Sequence, residues 1–223
     1  MNRNDKDKNH RNDCPCHHEA ISRRDFLALG AAAGTSLVVP GAQAAQSIQE
    51  LEGSVFVNRQ YATLATPINP GDWVTVSYGG KLTFTMGEDV YRLRGGTTMK
   101  VEADDNSFVT GLRLLAGAVL GVFGRGEKTI RTRSATIGIR GTGLYIDSAP
   151  DKTYFCTCYG ETEVRVPNMG SHIYKAEHHN AIMIYTPHDA APKIHNMAGF
   201  EGHTDEELRK NESYVGRKVP FDA

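Results

Sequence analysis

Between residue 54 and about residue 146, short runs of β-branched, aromatic and aliphatic residues alternate with glycine-bearing breaks. The runs 55–57, 73–78, 82–86, 90–93, 98–101, 109–115, 118–123, 129–139 and 144–146 each have the length of a strand, and their regular spacing predicts an all-β domain. No stretch sustains apolar residues at intervals of three and four, so helix is a minor component. Gly79-Gly80, between 73–78 and 82–86, predicts a tight hairpin. The β pattern continues through 153–166 and 180–186. Beyond Pro187 the chain becomes polar and rich in histidine. Thr204, followed by Asp205, Glu206 and Glu207, has the form of a capping box and predicts a short helix over 204–212, stopped by Gly216 and Pro220. The expected fold is mainly β: a single β-rich domain with a short C-terminal helix.

The amino-terminal stretch has a different character. Ser22-Arg23-Arg24-Asp25-Phe26-Leu27 leads into a small, apolar run ending at Val39, and Ala42-Gln43-Ala44 has the A-x-A form of a processing site. Arg23, Arg24, Phe26 and Leu27 resemble the twin-arginine export signal. The run from Leu27 to Val39 is 13 residues, well short of the ~20 that span a bilayer, so cleavage after Ala44 is expected and no permanent membrane span. The expected organisation is a signal peptide over 1–44, a β domain over 45–187 and a histidine-bearing tail over 188–223. The working protein is then periplasmic, and the twin-arginine export machinery is its first partner. Cys14 and Cys16 fall in the removed leader.

Composition adds exclusions. The 223 residues are 39% hydrophobic and 23% charged with a formal net charge of −1. This is ordinary globular material with no electrostatic reason to bind nucleic acid or an anionic membrane.

The stretch from Thr129 to Leu144, with Arg140-Gly141-Thr142 at its centre, resembles the signature of the FecR-like domain family. Gly53 to Val57, Pro70-Gly71-Asp72, Gly117-Ala118-Val119 and Tyr159 to Val164 are similar to other strands and turns of that family, so the resemblance covers roughly residues 53–166. It implies an exported β domain, solenoid-like or sandwich-like, that binds or senses a periplasmic protein or ligand. Members of the iron-dicitrate type resemble anti-sigma regulators, but the 22 residues before Arg23 are too few for a cytoplasmic regulatory domain. Gly138, Gly141 and Gly143 would permit bends or bulges, and Arg140 would pin the bend by forking onto carbonyls or a carboxylate.

Candidate chemistry centres on Cys156 and Cys158, two positions apart in a predicted strand and so on one face. Three states are open to them: a metal site, a strained and redox-active disulfide, or a buried thiol pair. After none in residues 45–171 of the expected mature chain, six histidines follow: His172, His178, His179, His188, His195 and His203. Thiolate with imidazole suits zinc or copper. His203, just ahead of the capped helix, is the expected tail ligand. His178 and His179 would face opposite ways in extended chain, so one of the two should join. No H-E-x-x-H, G-x-S-x-G, haem-attachment or phosphate-loop motif is present. A non-enzymatic binding or sensing module is the leading expectation, with a metal-binding or thiol-redox protein at Cys156 and Cys158 as the alternative.

Overall fold

The alternating runs pair into two sheets that face each other. The computed structural model describes residues 47–197 and 199–222; the export signal with Arg23, Arg24, Phe26, Leu27 and Ala44, and the leader cysteines, lie outside the described residues. The first sheet runs in the order β1 (Ile48–Glu52), β5 (Lys81–Met86), β6 (Asp89–Leu93), the later half of β8 (Val109–Val122), β11 (Gly143–Ser148), the earlier half of β12 (Lys152–Val166), β14 (Asn180–Tyr185) and β15 (Lys193–Asn196). The second runs β3 (Gln60–Tyr61), β2 (Val55–Val57), β4 (Trp73–Val76), β7 (Thr98–Ala103), the earlier half of β8, β9 (Glu127–Arg131), β10 (Thr136–Arg140), the later half of β12 and β13 (Gly170–Ala176). All these pairs are antiparallel except β8 with β9. The long strands β8 and β12 belong to both sheets. Leu82, Phe84, Tyr91, Leu144 and Phe155 from the first sheet meet Val74, Met99, Leu112, Ile130 and Ile137 from the second in one apolar core. This is the expected mainly-β fold, in its sandwich-like form.

Glycine marks the points where the chain changes sheet. Gly53 links β1 to β2, Gly79-Gly80 links β4 to β5, Gly95-Gly96 links β6 to β7, and Gly141 links β10 to β11, while Gly117 and Gly160 are the corners within β8 and β12. Gly53, Gly79, Gly96, Gly117, Gly141 and Gly160 have φ between +57° and +87°, a region that penalises any residue with a Cβ. At Gly117 a Cβ would sit 2.5 Å from the Thr97 backbone. The expected hairpin at Gly79-Gly80 is therefore corrected. Those glycines carry the chain from one sheet to the other, because β4 pairs with β2 and β7 while β5 pairs with β1 and β6. Two runs are also redrawn. Residues 109–122 form one bent strand, and 129–139 divides into β9 and β10.

The family-like segment is corrected in the same way. Arg140 is exposed and pairs with Glu127 on the neighbouring strand, so it does not pin the bend. Thr142, fully buried, does so by donating toward the carbonyls of Arg140 and Glu161. Gly138 sits in regular register opposite Glu163, and a Cβ there would meet nothing closer than 3.8 Å, so it makes no bulge. Gly143 does mark a register shift, and a Cβ there would strike the Tyr159 ring.

The first sheet is apolar on its outer face too. Val90, Leu120, Val122, Tyr145, Tyr154 and Tyr159 point away from the core and are covered by Leu208 and Val219 of the C-terminal segment. Helix α1 (Asp205–Tyr214) has the expected capping box between Thr204 and Glu207. The tail is thus folded across its own domain. Polar contacts fix its position: buried Arg92 holds Glu50 at 2.6 Å and Asn211 at 3.0 Å, Lys210 pairs with Glu50, and Arg94 grips Glu207 at 2.6 and 2.7 Å. No helix of the described residues is long and apolar enough to cross a membrane.

Two outcomes follow from this architecture. Gly117→Ala should destabilise by about 2–5 kcal/mol in chemical denaturation, since a left-handed φ and an overpacked backbone contact add, whereas Gly138→Ala should be neutral or slightly stabilising. Glu50 provides the second. Burial works to raise its pKa, but Lys210, Arg92 and Thr83 outweigh burial and hold it at about 2 against 4.5. Its contribution is complete above pH 4.5 and is lost as pH falls toward 2. A plot of melting temperature against pH should fall through that window for the parent chain and be flatter for Glu50→Gln.

Candidate metal centre

The space between the outer face of the first sheet and the C-terminal segment brings four soft donors together. Cys156 and Cys158 project from β12 onto this face, and neither thiol is in a disulfide. Cys158 lies where the register between β11 and β12 shifts, a local irregularity that re-aims a side chain. His179 sits in the turn between β13 and β14. Its backbone N–H donates to the Cys158 carbonyl at 2.9 Å, and its φ of +56° is left-handed. That conformation costs an imidazole-bearing residue about 1–2 kcal/mol. It also turns the ring inward. His203 precedes α1, and its ring stacks on Tyr145 at 4.8 Å. Gly202 makes this approach possible, because a Cβ there would lie 2.6 Å from the Tyr145 hydroxyl.

The donor atoms of these four residues all lie within 4.8 Å of one another. Cys158 Sγ is 3.2 Å from His203 Nε2, Cys156 Sγ is 3.5 Å from His179 Nδ1, and the two imidazole nitrogens are 3.4 Å apart. A tetrahedral ion with bonds of ~2.3 Å to sulfur and ~2.0–2.1 Å to nitrogen has sulfur–nitrogen edges near ~3.6 Å and nitrogen–nitrogen edges near ~3.4 Å. The 3.5 Å sulfur–nitrogen and 3.4 Å nitrogen–nitrogen spacings match such edges, and the 3.2 Å one is a few tenths of an ångström short.

The outer contacts fix the tautomers. His179 Nε2 donates to Asp205 Oδ1 at 2.8 Å, and His203 Nδ1 donates to the Glu201 carbonyl at 2.9 Å. Each ring therefore turns a lone pair inward. Two facing lone pairs at that separation need a positive centre or thiol protons between the donors. A carboxylate or carbonyl behind a ligating histidine is the usual support of a metal site.

Charge is arranged to match. The Cys156 thiol is drawn down to about 4, chiefly by the hydrogen bond from Cys158, with burial opposing and His179 and His203 assisting. Burial pushes Cys158 up, and the neighbouring Cys156 adds to this. Burial alone would lower His179, but Cys156 and Asp205 outweigh it and the ring is raised. Burial would raise Asp205, yet His179 and His178 hold it below its ordinary value.

Of the expected ligands, Cys156, Cys158, His179 and His203 meet. His178 stays outside, with Nε2 at 2.9 and 3.1 Å from the two oxygens of Asp205. His172 lies on β13 in the other sheet, His188 pairs with Asp189 in solvent, and His195 packs on Tyr185. Asp205 was legible only as an acidic residue at a helix start; its place behind His179 depends on the docking of α1.

Cys156, His179 and Asp205 also stand in the order of a nucleophile, base and orienting acid. The setting disfavours that chemistry: both cysteines have no exposed surface, and the open groove of about 630 Å³ lined by Lys128, Gly138, Arg140, Glu161 and Arg165 contains none of the four donors.

No protein-family model and no curated protein matches the chain. It is similar to two crystal structures of a Parabacteroides distasonis protein provisionally described as an anti-sigma factor, at 17% and 16% identity and TM-scores of 0.48 and 0.46. The likeness covers 56% of this chain and spans 59% of the length of that one.

An Asp205→Asn variant should bind zinc about 10–100-fold more weakly, measured by competition with a chromophoric chelator. In the parent chain affinity should fall as pH is lowered, about tenfold per unit for each proton that the ion displaces, because the cysteines ligate as thiolates and the histidines as neutral imidazoles.

Proposed function

We propose that the chain is an exported, non-enzymatic recognition domain of FecR-like type, in which a zinc-class ion held by Cys156, Cys158, His179 and His203 fastens the C-terminal segment onto the β sandwich. The observation behind this reading is the convergence of two buried thiols and two imidazoles within 4.8 Å, the outer hydrogen bonds of the rings leaving a lone pair of each turned toward the sulfurs. A sulfur-two, nitrogen-two tetrahedral set favours zinc over copper(II), which prefers tetragonal geometry. Four protein ligands leave no open position for substrate, so the ion's work is structural. Two of the ligands lie on β12, one on the β13–β14 turn and one on the C-terminal segment. The ion therefore cross-links parts of the chain that are remote in sequence.

The location outside the inner membrane rests on the signal-like segment around Arg23 and Arg24 and the processing site at Ala44. An export route that carries folded proteins suits a chain that takes up its ion first. The bound ion also keeps a close pair of thiols from oxidation in a compartment that favours disulfides.

Protein purified from the periplasm should contain one zinc per chain, and its cobalt-substituted form should show thiolate-to-metal charge-transfer bands. Cys156→Ser and Cys158→Ser should each lose the ion; His188→Ala, a distant exposed histidine, should keep it. Chelation should make trypsin cleave at Arg209 and Lys210 faster while the sandwich resists. A metal-free product with a Cys156–Cys158 disulfide, or with two freely titrating thiols, would falsify the metal reading.

A further inference from the structure

The buried centre has no exposed thiol, yet an ion must reach it. On the solvent side of His179 stands a second group of potential ligands: His178, His179 and Asp205 each bring one ligand atom within 4.8 Å of the others, and both Nε2 atoms reach the Asp205 carboxylate. The His178 side chain is 47% exposed, Asp205 22% and His179 only 5%. One imidazole ring thus separates an open, oxygen-and-nitrogen ligand pair from the closed sulfur-and-nitrogen set.

We propose that His178 and Asp205 form an outer divalent-cation site through which the buried centre is loaded and unloaded, a role that rests on the metal reading above. Asp205 is the pivot. Its carboxylate is the latch that holds His179, accepting from Nε2 at 2.8 Å, and it faces His178 with both oxygens. As a hydrated cation arrives, a solvent-mediated shift of the His178 proton from Nε2 to Nδ1 frees the Nε2 lone pair, and the cation takes this nitrogen and the Asp205 carboxylate for itself. The His179 N–H then loses its acceptor, and the ring is free to swing. Behind the ring lie Cys156 and Cys158. The ion passes to the thiols, their protons leave to solvent, and His179 and His203 close around it as Asp205 returns to His179.

The cover over this ring suits such a motion. Phe200 stacks on His179 at 3.6 Å and is 40% exposed. It lies between Gly199 and Gly202, both at φ +80°. Phe221 packs on His178 at 4.4 Å from the other side. The ligands of the outer pair are harder than thiolate, so they hold a cation weakly while the inner set holds a zinc-class ion tightly. That difference gives transfer its direction.

A relay speeds passage both ways and leaves the equilibrium alone. The test is stopped-flow uptake of Co²⁺ by the chelator-stripped full chain, with release from the cobalt-loaded chain to excess chelator. His178→Ala removes ligand and ring; His178→Phe keeps a ring against Phe221 but has no donor atom. Both variants should slow uptake and release by the same factor, about tenfold, the lower end of what local charge contributes to on-rates, with the dissociation constant within about twofold of the parent. Unchanged rates in His178→Phe would overturn the relay, as would a loss of affinity that accounts for the slower uptake. A parent chain that takes up no cobalt would sink the buried centre and the relay together, whereas tight uptake at a rate indifferent to His178 would sink the relay alone.

Discussion

The first sheet has two apolar faces, and the need to cover both governs the rest of the molecule. One face is met by the second sheet. The other presents Val90, Leu120, Val122, Tyr145, Tyr154 and Tyr159. Each large side chain withdrawn from water contributes roughly 1.5–3 kcal/mol, so an uncovered outer face would be a severe penalty. The C-terminal segment supplies the cover, and in doing so it lays His203 against Cys158 and Asp205 against His179. The candidate site is a by-product of burial: the polar donors come together because the apolar ones around them must.

That same burial sets the chemistry. In a dry layer, a thiolate, an imidazole and a carboxylate cannot stand unpaired. Arg92 answers Glu50 and Asn211, Arg94 answers Glu207, and the buried Glu212 is shared by Tyr159 and Arg217. The four inward donors are different. The outer nitrogens of the two rings are satisfied, and their inner nitrogens face the two sulfurs. A cation answers this more completely than thiol protons can, since one ion can meet all four at once.

Much of this was legible in the residues, and the remainder was hidden for identifiable reasons. The alternating runs and glycine breaks defined a β domain. The Thr204–Glu207 capping box located the helix, and the spacing of Cys156 and Cys158 with a late group of histidines pointed to the ligands. The choice between His178 and His179 was not readable, because it turns on a left-handed φ at a non-glycine residue. Glycines at corners and glycines at hairpins look the same in one dimension, which is why Gly79-Gly80 was misplaced. Arg140 drew attention by its motif, while the buried work falls to Thr142 beside it. Asp205 as a partner of His179 needed the tertiary docking of α1, which no local pattern encodes.

The tie between Arg92 and Asn211 spans 119 residues of sequence. Contacts this remote close late, because the intervening loop entropy must be met before they form. A ribosome has delivered every strand from β1 to β15 before Asn211, Leu208 and His203 exist to cover the outer sheet. Until then the nascent protein exposes a tyrosine-rich surface with two bare thiols at its centre. The outer face of the first sheet is therefore finished only once residues 203–219 are made, and losing them would be felt as far back as Glu50 and Arg92.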